Sequence, residues 1–256
     1  MPNLPDPKHL AEELIGCADT AQPIDPFSVR YGPLSPAQAV AIRQASLEMR
    51  LASGRKLIGK KIGKIQRLWS GHTQVHDARW GYILDSNLLA DSTSLPIANL
   101  IDPSVEAEFA FLLARDLDGP GVTAAHALAA VEGVFPAFEI VDSRFRPKAP
   151  TQEDAAADNS SHAYAVVGPN LFSPRGLDLS AIHARIEING ETKAEGTGAK
   201  IAGHPANALA ALANGQPLRA GEIILTGAVA GPSPFRAGDA LRGIFDVLGS
   251  VNLQIE

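Results

Sequence analysis

Two apolar segments of this chain carry glutamates where a carboxylate is costly: Glu106 and Glu108 in DPSVEAEFAFLL, and Glu139 in GVFPAFEIVDSRF. An ionised carboxylate taken from water without a partner is so unfavourable that it neutralises or finds a cation. Three of them in two neighbouring hydrophobic segments point to a hard divalent ion, because Mg²⁺ and similar ions prefer carboxylate oxygen. From Val105 to Leu113 the pattern predicts a strand, with Val105, Ala107, Phe109, Phe111 and Leu113 on one face. Glu106 and Glu108 then share the other face, since side chains two apart on a strand point the same way. Val134 to Phe145 also reads as a strand, presenting Glu139 beside Ala137 and Val141. A lone Glu-x-Glu ordinarily marks the solvent side of a half-exposed strand. The third glutamate and the flanking motifs favour the metal.

With 256 residues the chain can bury a substantial core, as one large domain or one domain with a small appendage. Hydrophobic content of 45% and charged content of 20% are those of a soluble globular protein. A net charge of −6 without runs of like charge argues against nucleic acid or an anionic membrane surface as partner. The single Cys17 excludes an intramolecular disulfide framework and fits a reducing compartment. No segment resembles a signal peptide or a membrane span, so a cytoplasmic location is expected.

The first part of the chain is helical in character. Lys8 to Ala18 suits a short helix, and Ser35, Pro36 and Gln38 make an N-cap, first-turn proline and capping box for a helix running to about Ser53. Residues 1–55 are therefore read as an N-terminal helical region and 56–256 as a β-rich catalytic domain. KLIGKKIG is a short strand, and Lys64 to Tyr82 reads as a loop. Thr123 begins a helix expected to stop near Gly133, and ARIEINGETKAEG carries an Asn189-Gly190 hairpin signal. Pro205 to Ala213 is a helix, GEIILTGAV a buried strand, and two further strands close the chain. Many short strands with few helices give an α+β fold.

Other segments offer chemistry. Lys60 and Lys61 lie between Gly59 and Gly63, where a ligand can approach the backbone; on an alternating strand only one of the two faces a given site. AADNSSH, Ala156 to His162, combines an acid, an amide and two hydroxyls in a polar turn. GTGAKIAGHP lacks the pattern of a phosphate or dinucleotide loop. Ser160 and Ser161 have no Gly-x-Ser-x-Gly context, and His72, His76 and His204 lack zinc spacing.

Taken together, GKKIG (59–63), VEAEFAFLLARDL (105–117), PAFEIVDSRF (136–145), ADNSS (157–161), GHPANALAALAN (203–214) and GEIILTGAV (221–229) resemble the fumarylacetoacetate hydrolase-like superfamily. The likeness is to its 2-keto-4-pentenoate hydratase and 4-oxalocrotonate decarboxylase branch, and it spans nearly the whole chain from about residue 30. The resemblance implies a mixed β-roll-like fold with an N-terminal helical region, often in a homo-oligomer. It matches Glu106, Glu108 and Glu139 to ligands of Mg²⁺ or Mn²⁺, Lys61 to the family's Gly-x-Lys lysine, and Ser161 to the hydroxyl of its Asp-Asn-x-Ser turn. The metal would act as a Lewis acid for a chelating 2-oxo acid, with Lys61 binding substrate carboxylate or moving a proton. Lys60, Arg79 and His204 are expected beside the substrate.

One departure bears on the reaction. Hydratases of this branch carry an Asp-aromatic-Gly stretch, and here the corresponding place reads Arg79-Trp80-Gly81. Asp77, two positions away, is the candidate replacement acid, and Arg79 suits a second carboxylate on a diacid. The first reading is a hydratase acting on 2-hydroxydienoates in the degradation of aromatic compounds. Decarboxylation of a 2-oxo-enedioate follows closely. Acylpyruvate C–C hydrolysis, with His72 or His76 activating water, and keto-acid binding without turnover are the further alternatives.

Overall fold

Side-chain caps set the first elements. The computed structural model describes residues 4–63, 80–149 and 151–256. Asp6 accepts from the Lys8 N–H at 2.8 Å to start helix α1, Pro7–Thr20. After the short α2, Phe27–Tyr31, Ser35 and Gln38 form a reciprocal capping box and α3 runs Pro36–Ala52. Leu10, Leu14, Phe27, Ala39 and Ile42 pack together with Phe145, Ala156 and Ala157, so the helices share one apolar cluster with a later part of the chain.

The remaining elements are β1 (Leu57–Ile62), β2 (Trp80–Leu84), β3 (Leu88–Ala90), β4 (Thr93–Leu95), β5 (Ser104–Leu113), α4 (Ala124–Ala130), β6 (Val131–Val141), α5 (Gln152–Ala157) and β7 (His162–Val167). They continue with β8 (His183–Ile188), β9 (Glu191–Thr197), α6 (Pro205–Gly215), β10 (Ile223–Pro234), β11 (Ala240–Phe245) and β12 (Gly249–Ile255). A seven-stranded sheet has the order β2-β1-β10-β5-β6-β7-β3, and a five-stranded sheet the order β4-β12-β11-β8-β9. Both are mixed: β1 with β10, β3 with β7 and β4 with β12 are parallel, and the other pairs antiparallel. This is the α+β architecture that the strand-rich pattern predicts.

Strand alternation divides the larger sheet into two unlike faces. Val105, Ala107, Phe109, Phe111 and Leu113 of β5, with Phe138 and Ile140 of β6, enter the main core with Ile186, Phe245, Val251 and Leu253 of the smaller sheet. Phe109 and Phe245 meet edge to face with centroids 5.6 Å apart. Each fully buried phenylalanine here contributes roughly 2–3 kcal/mol of apolar burial. The opposite face carries Ala110, Ala137, Ala165, Leu225 and Ile83 in a smaller cluster, and Glu106, Glu108 and Glu139 share its parity.

The structure corrects several local expectations. The helix begun at Thr123 ends at Ala130, because Val131 already pairs with Leu113 and the backbone of β5 needs that partner. The glutamate-bearing strand β6 ends at Val141 rather than Phe145. Beyond it, the Asp142 carboxylate accepts from the N–H groups of Ile101 (2.8 Å) and Asp102 (2.7 Å), turning the chain out of the sheet. Trp80–Tyr82, expected in a loop, starts β2 and pairs with β1. The polar turn at Ala156–His162 is entered by helix α5, which capping by Thr151 initiates. Among the described residues, no helix is long and apolar enough to cross a membrane.

Candidate metal centre

Register brings the three glutamates together. In the β5–β6 ladder Glu106 lies directly opposite Glu139, and Glu108 follows two residues along the same face. Like charges directly opposite one another destabilise a sheet. One carboxylate oxygen from each of Glu106, Glu108 and Glu139 falls within 4.8 Å of the others. Glu108 and Glu139 are fully buried and Glu106 is partly exposed, so the cluster opens to solvent on the Glu106 side.

Each carboxylate is held differently. Gly227 donates its N–H to Glu108 Oε2 at 2.8 Å, from a backbone with φ of 97° that glycine adopts without strain. Glu108 Oε1 is buried with no hydrogen-bond partner among the described residues. Glu139 Oε1 meets the Lys61 ammonium at 2.9 Å and His162 Nδ1 at 2.9 Å. Burial, then the charges of Glu139 and Glu106, push Glu108 well above the usual carboxylate range. Burial and the Glu139 charge raise Glu106 to about 7. For Glu139 burial acts upward too, but Lys61 and the hydrogen bond from His162 outweigh it and hold the group below its ordinary value. Without a cation, one carboxylate stays ionised and its two neighbours resist ionisation. An orphaned buried oxygen and three converging carboxylates, with one ammonium in contact among the described residues, suit a hard divalent cation, and the triad can hold one.

The turn before β7 closes around the same face. Asn159, Ser160 and Ser161 have φ of 48°, 52° and 58°, three successive left-handed residues that cost about 1–2 kcal/mol each. Asn159 repays part of this by mimicking a strand: its Oδ1 accepts from Tyr82 N–H at 2.8 Å and its Nδ2 donates to Tyr82 O at 3.0 Å. The close fit needs Gly81, where a Cβ would stand 2.5 Å from Asn159 O. Arg144 is buried and donates to the Asp158 carboxylate, to Asp158 O at 2.6 Å, to Asp142 O at 2.7 Å and to His162 O at 2.9 Å. Burial raises Asp158 to about 6 despite this pairing. Such strained residues cluster at functional sites.

The residues singled out in the sequence separate accordingly. Lys61 joins Glu106, Glu108 and Glu139. Ser161 is half-buried beside His162; its N–H donates to Asp158 O (2.7 Å) and its carbonyl accepts from Asp142 N–H (2.8 Å). Lys60 does not join them: it sits on the other face of β1, with its ammonium 2.6 and 2.9 Å from the two oxygens of Glu222. His204 is the N-cap of α6, its Nδ1 accepting from Ala206 N–H at 3.0 Å. Asp77, Arg79, His72 and His76 lie outside the described residues. Sequence reading missed His162 and the Gly227 N–H. His162 directly follows the polar Asn-Ser-Ser turn, but only the pairing of β7 with β6 brings it to Glu139.

Comparison with known proteins gives the family of the chain. A family model described as Fumarylacetoacetate (FAA) hydrolase C-terminal matches residues 70–256. The chain is 38% identical over 242 residues to 2-hydroxyhexa-2,4-dienoate hydratase of Comamonas testosteroni, covering 92% of each. It is 35% identical over 251 residues to 2-keto-4-pentenoate hydratase of Paraburkholderia xenovorans (strain LB400), covering 96% of this chain and 93% of that one. Its fold superposes on 4-oxalocrotonate decarboxylase from Pseudomonas putida G7, complexed with magnesium and adipate, with a TM-score of 0.90, 27% identity, and coverage of 98% of this chain and 97% of the other.

Proposed function

The chain belongs to the FAA hydrolase C-terminal family, and on that premise we propose that it is a Mg²⁺-dependent hydratase of 2-hydroxydienoates of the 2-keto-4-pentenoate type. The observation that carries this reading is the convergence of Glu106, Glu108 and Glu139 around a buried, unpartnered Glu108 oxygen, with the Lys61 ammonium alongside. Magnesium, or manganese in its place, would be held by these three carboxylates and supply Lewis acidity toward a chelating 2-oxo acid. Lys61 holds positive charge where the substrate carboxylate binds or a proton moves, and burial keeps that charge unscreened. Ser161 orients substrate or water from the strained turn, and Asp77 is the acid proposed for proton transfer. Arg79 and His204 are proposed as substrate contacts, whereas the Glu222 pairing leaves Lys60 a structural part.

The N-terminal helical region, residues 1–55, braces the catalytic part. Arg43 of α3 donates to Trp80 O at 2.8 Å and stacks on its indole 4.0 Å from the ring centroid, at the start of the strand under the Asn159 turn. We take the enzyme to work as a cytoplasmic homo-oligomer on a small-molecule acid.

A second reading, decarboxylation of a 2-oxo-enedioate, has its own support: Arg79 in place of the hydratase acid, and superposition over nearly the full length of a decarboxylase. One experiment separates them. The purified protein with Mg²⁺ is incubated with 2-hydroxypenta-2,4-dienoate and, separately, 2-oxohex-3-enedioate, following ultraviolet absorbance and CO₂. Absorbance loss without CO₂ on the first substrate is expected. CO₂ from the second alone favours the decarboxylase, and no change with either sinks both.

A further inference from the structure

We infer that His162 is a positioning residue for the cation, selecting which oxygen of Glu139 faces the triad; this rests on the metal-site reading above. The imidazole and the Glu139 carboxylate are both buried, and Nδ1 lies 2.9 Å from Oε1. Lys61 Nζ meets the same oxygen at 2.9 Å. The hydrogen bond from His162 and the ion pair with Lys61 converge on Oε1 and restrain the rotation of the carboxylate. An ionised carboxylate only accepts, so Nδ1 is the donor nitrogen.

The two donors are not equivalent. Lysine reaches its partner along a flexible four-carbon stem. The imidazole is planar, with two torsions, and its own backbone is anchored twice: His162 pairs with Val141 in the β6–β7 ladder, and its carbonyl accepts from Arg144 at 2.9 Å. His162 is thus the rigid member of the clamp. Its Nε2 is buried without a partner among the described residues, so packing alone does not account for a polar ring at this place. His162 also lines a cavity of about 330 Å³ between α1, α3 and the sheet, together with Tyr82, Asn159 and Tyr164. Truncation to alanine would leave a void where a buried ring stands, so informative substitutions keep the bulk.

The test is Mn²⁺ binding by isothermal titration on the full chain, with folding checked by circular dichroism. His162→Leu keeps the bulk and removes the donor, and should weaken Mn²⁺ by about 10–100-fold, the usual effect of losing a hydrogen-bond partner of a metal ligand. His162→Asn places an amide nitrogen where Nδ1 stood and should stay within a few-fold of wild type. Wild-type affinity in His162→Leu, or equal weakening in both variants, overturns the inference. Should His162→Leu not fold, His162→Gln replaces it, because its amide nitrogen lies one bond too far; equal affinity in the Asn and Gln variants then overturns the inference. Glu139→Gln separates the two levels. If wild type binds no Mn²⁺, or Glu139→Gln binds as tightly as wild type, the metal-site reading fails and the positioning role falls with it.

Discussion

Lys60 and Lys61 are neighbours on β1, both are buried, and each is paired with a buried carboxylate, yet they serve opposite faces of one sheet. On the core side Glu222 receives both of its close contacts from Lys60 and a third hydrogen bond from the Arg219 N–H at 3.1 Å, so one positive and one negative charge are matched and saturated. On the other side Lys61 faces Glu139, with Glu106 and Glu108 crowded against it. If all three ionise, their three negative charges exceed by two the one ammonium in contact among the described residues, an excess that one divalent cation balances. A buried ion pair is therefore no mark of function by itself. Imbalance within a buried cluster, together with an unpartnered acceptor, is.

The strongest way to break this contrast is to remove carboxylates from the unbalanced side. Glu108→Gln and Glu139→Gln should abolish Mg²⁺ binding and lower turnover by at least about 10³-fold, since a Lewis acid is worth several kcal/mol in such a reaction. Calorimetric retention of Mg²⁺ in both variants would refute the ligand assignment. Lys61→Met should lower kcat by about 10²–10⁴-fold, the range for losing a proton-transfer or charge-stabilising group, while the protein stays folded. Lys60→Met should do the reverse: turnover per folded molecule is kept, and stability in urea falls by about 3–5 kcal/mol because Glu222 is left buried and unpaired. Restoring balance by Lys60→Met with Glu222→Leu should recover most of that loss. A Lys60→Met variant that is stable but inactive would put Lys60 back in the site.

The unbalanced side should also answer to pH. Burial first, then the Glu139 charge, raises Glu106 to about 7, above the value of about 4.3 expected in the unfolded chain. Between those values the metal-free native protein binds a proton that the unfolded chain has released. The contribution of this group is fully present below about pH 4.3 and is lost as pH rises through about 7. A cation must displace that proton. Below about pH 7 the apparent Mg²⁺ affinity should fall by at least about tenfold per pH unit, and the Mg²⁺-induced rise in Tm should be small near pH 5.5 and grow as pH rises through about 7. A shift in Tm that is constant from about pH 5.5 to 8 would contradict the proton–metal competition.

Much of the site is legible in the chain because two-residue alternation is a local property. Glu106 and Glu108 sit out of phase with Val105, Ala107, Phe109 and Phe111, so any strand here puts both carboxylates on one face. Ser35 and Gln38 likewise fix a helix start from a spacing of three. Less legible are places where a distant partner decides. Val131 to Gly133 continue a helical pattern but are captured by pairing with β5. Lys60 and Lys61 carry the same alternation signal, and only the registers Lys60↔Ile224 and Lys61↔Leu225 tell which faces the core.

What the sequence alone determined is the inventory: a lysine pair at a glycine-flanked strand, three carboxylates too costly to bury unpaired, and a polar turn after them. Tertiary structure decided the pairings. Glu106 stands opposite Glu139, Lys60 is withdrawn to Glu222, and His162 reaches Glu139 from 23 residues away across a ladder whose register shifts between Ile140 and Val141. Alternation along a strand is set by covalent geometry, whereas register between strands is chosen by the whole sheet, including its bulges. That is why the three carboxylates are legible from the chain, and the histidine that contacts one of them emerges only from the fold.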